Sequence, residues 1–175
     1  MERAKELLLN MPKSLTYQDS ANEFKKLYAC FTPMEWIDTK ICFQVSNFIA
    51  RNRPDLVDIG TRFAVQVNLF IRAIVEYHDD PQMILDIVGS ELGCFALTES
   101  KAGVLSGLQI DTTFKETVDG YVINTNEISK YWISQGMVAS YGLLIASNIE
   151  NHRDARIFFF DANSDNIRKS RIEKC

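Results

Sequence analysis

Gly93-Cys94-Phe95-Ala96-Leu97-Thr98-Glu99-Ser100 separates two unlike halves of the chain. Upstream of it, apolar residues recur three and four apart, the spacing of a helix face. Downstream, short apolar runs alternate with turn residues, the pattern of strands. The stretch itself is a short apolar run that ends in Thr-Glu. It reads as a strand whose end presents polar groups to a crevice.

Reading backwards from Gly93, Asp80-Pro81 caps and starts a short helix in which Met83, Ile84, Ile87 and Val88 face inward, and Gly89 suits the position just past its end. A longer helix is predicted over about residues 55–77, with a stripe of Leu56, Gly60, Phe63, Val67, Phe70 and Ile74. Gly60 costs about 1 kcal/mol relative to Ala in a helix interior, so it is expected to mark a close helix contact. Thr32-Pro33-Met34-Glu35 carries a capping box with proline at the first helical position. The helix it opens carries Ile37, Ile41, Val45, Phe48 and Ile49 and stops near Arg53-Pro54. Before that, Tyr17, Ala21, Phe24, Leu27, Tyr28 and Phe31 share one face, and residues 2–10 form a short helix that ends at Met11-Pro12. The result is a bundle of four or five helices over residues 2–89.

Reading forwards, Gly107 to Phe114 is strand-like, with Leu108, Ile110 and Thr112 alternating. Asp119-Gly120 makes a hairpin turn between Thr112-Thr113-Phe114 and Tyr121-Val122-Ile123. Tyr131-Trp132-Ile133-Ser134 is a further short strand, closed by Gln135-Gly136. Tyr141 to Ala146 and Ile157 to Phe160 read as buried strands joined by a polar connection over 148–155. The fold class is α+β: an N-terminal helical bundle over 1–91, followed by an antiparallel β-sheet or barrel over 92–175.

Composition narrows the function. The chain has 175 residues, 46% of them apolar, with a formal net charge of −4. That balance argues against a nucleic-acid binder, which needs a basic patch. The one basic cluster, Ile167-Arg168-Lys169-Ser170-Arg171, reads as a solvated terminus. No apolar run approaches the ~20 residues that span a membrane. The N-terminus is a poor secretory or transit signal, and the expected compartment is intracellular, with cytoplasm, mitochondrion and peroxisome not distinguished. Cys30, Cys42, Cys94 and Cys175 show no Cys-x-x-Cys spacing, and only His78 and His152 could complete a metal site. No metal is expected, and Cys30, Cys42 and Cys94 lie in apolar runs as buried thiols.

Thr98, Ser100, Trp132 and Ser134 lie at the ends of strand-like runs. Such groups can hydrogen-bond a planar heterocycle while Trp132 and Phe95 cover its face. Equally, Trp132 and Phe95 can be core and the hydroxyls can cap turns. Residues 102–107 hold two glycines without a dinucleotide fingerprint. No serine sits in a nucleophile elbow.

Gly93-Cys94-Phe95-Ala96-Leu97-Thr98-Glu99 resembles the middle-domain signature of the acyl-CoA dehydrogenase and acyl-CoA oxidase superfamily. Asp119 to Asn124 resembles the family's next hairpin. Lys130-Tyr131-Trp132-Ile133-Ser134-Gln135-Gly136 resembles its second signature, and Leu143 to Ala146 and Ile157 to Phe160 resemble the strands that follow. The resemblance covers about residues 83–170. It implies FAD as cofactor, an acyl-CoA thioester as substrate, and α,β-dehydrogenation in fatty-acid metabolism. It places Phe95, Leu97 and Thr98 along the isoalloxazine, Trp132 over the ring and Ser134 near its reactive edge. Glu99 becomes a structural partner at the strand end. The flavin accepts the hydride, and the protein orients it.

Three departures set the remaining expectations. The loop after Glu99 reads Lys101-Ala102-Gly103-Val104-Leu105-Ser106-Gly107, with Val104 and Leu105 where the family carries Ser and Asp. Ser106 is the substitute candidate for phosphate or substrate contact. The helical part is short for the family. The chain ends before the helical bundle that supplies the family's catalytic glutamate, so no catalytic residue is assigned. The expectation is a truncated relative, inactive as an isolated chain, in a homo- or hetero-oligomer that covers the unfinished β part. The alternatives are a degenerate binding or assembly subunit that keeps the fold, and a small interaction module.

Overall fold

The computed structural model describes residues 1–99, 110–124, 130 and 133–170. Helices come first: α1 Glu2–Asn10, α2 Tyr17–Tyr28, α3 Pro33–Trp36 and α4 Thr39–Asn52. α5 Val57–Phe63 runs without a break through a π-helical segment, Ala64–Ile71, into α6 Arg72–Tyr77, and α7 Pro81–Val88 follows. The strands are β1 Gly93–Ala96, β2 Thr113–Thr117, β3 Gly120–Asn124, β4 Tyr141–Asn148 and β5 Ala155–Asp161.

Local chemistry explains where the helices start. The Thr16 hydroxyl accepts the Asp19 N–H at the head of α2, and Thr32 and Glu35 form the reciprocal capping box of α3. The helix expected to run on from Pro33 instead breaks at Ile37, because Asp38 caps a new one through the Lys40 N–H. Asp80 caps α7. At the other end of α1, the Arg53 guanidinium donates to the carbonyls of Leu8 and Leu9 and pairs with Asp55. It thereby fills acceptors that a helix C-terminus leaves open.

The helices close on an aromatic centre that periodicity did not single out. Trp36 is fully buried, donates its indole N–H to the Tyr28 carbonyl at 2.7 Å, stacks on Tyr28 and meets Phe31 and Phe63 edge-on. Of the stripe expected over residues 55–77, Leu56, Phe63, Val67, Phe70 and Ile74 are buried. Gly60 is not a close contact: a side chain there would meet open space. On α7, Ile84, Leu85 and Val88 are buried, while Met83 and Ile87 face outward, contrary to expectation. Tyr17 is likewise exposed. Cys94 is buried, and Cys30 and Cys42 are half-buried.

The sheet follows the helices, as expected for α+β, but it is mixed and open rather than antiparallel. β4 is its hub. β5 pairs with it antiparallel on one side. On the other side β1 pairs parallel with its first half and β2 parallel with its second half. β2 and β3 form the expected hairpin around Asp119-Gly120. The strand expected to begin at Gly107 starts only at Thr113 within the described residues. Ile133 and Ser134 belong to no strand, and Ser134 opens a turn. The basic tail is not simply solvated: Lys169 donates to the Ala139 carbonyl at 2.7 Å. Among the described residues, no helix is long and apolar enough to cross a membrane.

The sheet docks on the π segment through β1. A side chain at Gly93 would overlap the Phe70 ring, so the strand approaches the helix only because residue 93 has none. The alternation of a strand sends Phe95 to the same side as Gly93, where it packs on the helical core. Gly93→Ala should therefore destabilise the protein by about 2–3 kcal/mol, measured by chemical denaturation, with much of the loss recovered on adding Phe70→Leu.

Candidate functional site

Two segments carry the residues that the resemblance sets along the flavin, and two buried polar contacts bring these segments side by side. The first is Glu99, whose side chain is only 1% exposed. Its carboxylate accepts the backbone N–H of Asp111 at 2.6 Å and of Thr112 at 3.0 Å, together with the Thr112 hydroxyl and the Lys130 ammonium. Lys130, 11% exposed, also reaches the Ile145 carbonyl at 3.3 Å. Residues 99 and 130 form an antiparallel bridge. Burial raises the Glu99 pKa, and the Lys130 ammonium, the Thr112 hydroxyl and the two N–H groups more than reverse that, leaving it lowered. Burial lowers the Lys130 pKa against the opposing pull of Glu99.

The second contact lies at the start of β1. Gln135, buried and held at φ 65°, donates its amide to the Gly93 carbonyl at 3.1 Å. Gln66, fully buried in the π segment, accepts the Gly93 N–H at 2.8 Å and donates to the Glu91 carbonyl at 3.2 Å. Both ends of the second segment are thus tied to the first: Lys130 to Glu99 and Gln135 to Gly93.

Between these ties lie the sequence candidates. Phe95 is half-buried in β1, and Leu97 and Thr98 are half-buried just beyond it. Ser134 is exposed in the turn beside Gln135. Trp132, Ser106 and Ser100 lie outside the described residues. Sequence reading missed the partners of Glu99 and both glutamines. A signal was present for Gln66, a polar residue inside the apolar run Ala64-Val65-Gln66-Val67, because a buried amide must find hydrogen-bond partners. Among the described residues no group of three or more His, Cys, Asp or Glu could hold a metal ion.

No family sequence model and no curated protein sequence matches the chain. Solved structures do match it. One, described as the electron transferring flavoprotein of Acidaminococcus fermentans, has a TM-score of 0.71 and 19% identity, covering 99% of this chain and 49% of its own. The chain has an acyl-CoA dehydrogenase/oxidase-like fold. Arabidopsis thaliana acyl-CoA oxidase 1 superposes with a TM-score of 0.54 and 18% identity over 95% of this chain and 28% of its own. A glutaryl-CoA dehydrogenase from Mycobacterium smegmatis, in complex with FADH2, gives 0.50 and 16% over 93% and 50%. The chain thus spans half or less of the length of these structures.

The Glu99–Lys130 contact gives a direct test. Glu99→Ala leaves a buried ammonium without its counter-charge and should cost about 3–5 kcal/mol, whereas Glu99→Ala with Lys130→Met recovers most of it. Because the Glu99 pKa is lowered on folding, its contribution is present above the ordinary glutamate pKa and is lost as pH falls through the folded value. Denaturation midpoints taken downward from pH 6 should fall less steeply in Glu99→Gln than in the wild type.

Proposed function

We propose that the chain is the helical and middle-β portion of a flavin-dependent acyl-CoA oxidoreductase, organised as units over 1–91 and 92–175. In this reading the isoalloxazine of FAD lies along Phe95, Leu97 and Thr98, with Trp132 over the ring and Ser134 at its polar edge. By resemblance, Ser106 is the candidate contact for the acyl-CoA. The carrying observation is the bridge between Glu99 and Lys130, which joins the segment of Phe95, Leu97 and Thr98 to the one that carries Trp132 and Ser134. The half-buried apolar residues and the hydroxyl at the end of β1 suit a planar ring with a polar rim.

Bound FAD supplies the hydride acceptor for α,β-dehydrogenation of an acyl thioester. The residues of this chain bind and orient: Phe95 and Leu97 exclude water from one face, and the Thr98 and Ser134 hydroxyls hold the rim. No residue here is assigned as the base that takes the α-proton, and a general base must lie within hydrogen-bond reach of its proton. The reading therefore places that base on further polypeptide or on another subunit of an oligomer that covers the β part. A second reading, a binding or assembly subunit that keeps the fold, is favoured by Val104 and Leu105 standing where the family carries Ser and Asp.

Purified from its native source, the protein should carry a yellow flavin absorbance together with a helix-rich partner. The isolated 175-residue chain should turn over no acyl-CoA. In the assembled protein Thr98→Val and Ser134→Ala should each weaken FAD binding about tenfold, the loss of one hydrogen bond. A large assembly without flavin would select the second reading, and acyl-CoA turnover by the isolated chain would overturn the placement of the base.

A further inference from the structure

α5 buries an arginine that pairs with no carboxylate of the described residues. Arg62 is 4% exposed. Its Nε donates to the Ser20 hydroxyl at 3.0 Å and one terminal nitrogen, Nη2, donates to the Tyr17 carbonyl at 2.8 Å. The other terminal nitrogen, Nη1, is buried with no hydrogen-bond partner among the described residues. No carboxylate of the described residues pairs with the guanidinium. The contrast with Arg53 is sharp. That buried arginine holds Asp55 through Nε and Nη2 and spends Nη1 on backbone carbonyls.

A guanidinium offers five N–H donors and stays charged at any physiological pH. Burying one without a counter-charge is costly, so structures normally supply an anion. Here the surroundings add positive potential instead. Ser20 and Tyr17 belong to the first turns of α2, a helix of 12 residues, whose N-terminus carries the positive end of the helix dipole. The one acid in that first turn, Asp19, is turned to the cap, where the Thr16 hydroxyl donates to it at 2.6 Å. Partial compensation comes from the Tyr17 ring, whose centroid lies 4.4 Å from the guanidinium carbon. Tyr17 is itself 42% exposed. The ring that covers the cation is therefore free on its outer side.

We propose that Arg62 and the first turn of α2 form an oxyanion-binding site closed by Tyr17. Its ligand is a carboxylate or phosphate group, free or at the end of a larger molecule. The anion takes the open Nη1 donor as the Tyr17 side chain swings outward, and it neutralises both the guanidinium and the helix terminus. The site shares no residue with Phe95, Leu97, Thr98 and Ser134 and needs no flavin.

The test is a titration of the full chain with sodium phosphate and, separately, sodium acetate, each against sodium chloride at matched ionic strength. The Arg62 Nε–H, fixed by Ser20, is followed as a resolved NMR cross-peak, and the melting temperature is measured in parallel. Either or both oxyanions should move the cross-peak saturably and raise the melting temperature by roughly 2–5 °C over chloride. Arg62→Met should abolish the rise. A response to phosphate alone or acetate alone assigns the ligand group. The proposal is overturned if both oxyanions behave as chloride in the wild type, or if Arg62→Met responds equally. Should that variant not fold, the wild-type cross-peak decides by itself.

Discussion

One residue joins the two halves of this molecule. Gly93 offers its N–H to Gln66 and its carbonyl to Gln135, and its missing side chain leaves room for Phe70. The groups of an unpaired strand edge are thereby answered by two buried amides rather than by a neighbouring strand. Gln66 sits in the π-helical stretch of the long helix, a departure from α geometry found most often where a helix has a special task. Here that stretch presents an amide and an aromatic ring to the same glycine. Further polar contacts tighten the junction: Glu91 accepts from Lys25 of α2 at 2.7 Å and from Ser140, just before β4, at 2.5 Å.

The helices were legible in sequence because their signals are local. Caps at Thr32 and Asp80, the stripe through Phe63, Val67 and Phe70, and the hairpin at Asp119-Gly120 each depend on residues a few positions apart. What was not legible depends on partners far apart in the chain. The mixed character of the sheet follows from Gly93 pairing beside Tyr141 and Thr113 beside Ser147, and an apolar run carries no mark of its neighbour's direction. The outward turn of Met83 and Ile87 has the same origin, since helical spacing defines a face and only packing chooses how wide the buried stripe is. Trp36 escaped notice because its burial is fixed by an indole N–H bond to Tyr28, not by periodicity.

The candidate site shows the same division. Phe95, Leu97, Thr98 and Ser134 could be named from two short stretches. That the stretches lie together is the work of Glu99, Lys130, Gln66 and Gln135, which sequence left in the background. A buried ion pair adds little net stability relative to apolar residues of the same size. Its value here is register. A slip of one residue between the two segments would strand a carboxylate and an ammonium in the interior, so the alternatives are penalised more than the native pairing is favoured.

The central position of β4 also orders events in time. β1 and β2 each find their parallel partner only in residues 141–148, so neither can complete its ladder until that strand has been synthesised. The β4–β5 pair, by contrast, closes over the short connection between Asn148 and Ala155. Local contacts form before distant ones because the entropy of closing a long loop must be met first. During synthesis the helices can therefore collapse around Trp36 while β1 waits, its edge already held at Gly93 by Gln66, for a strand that is still nearly fifty residues from emerging.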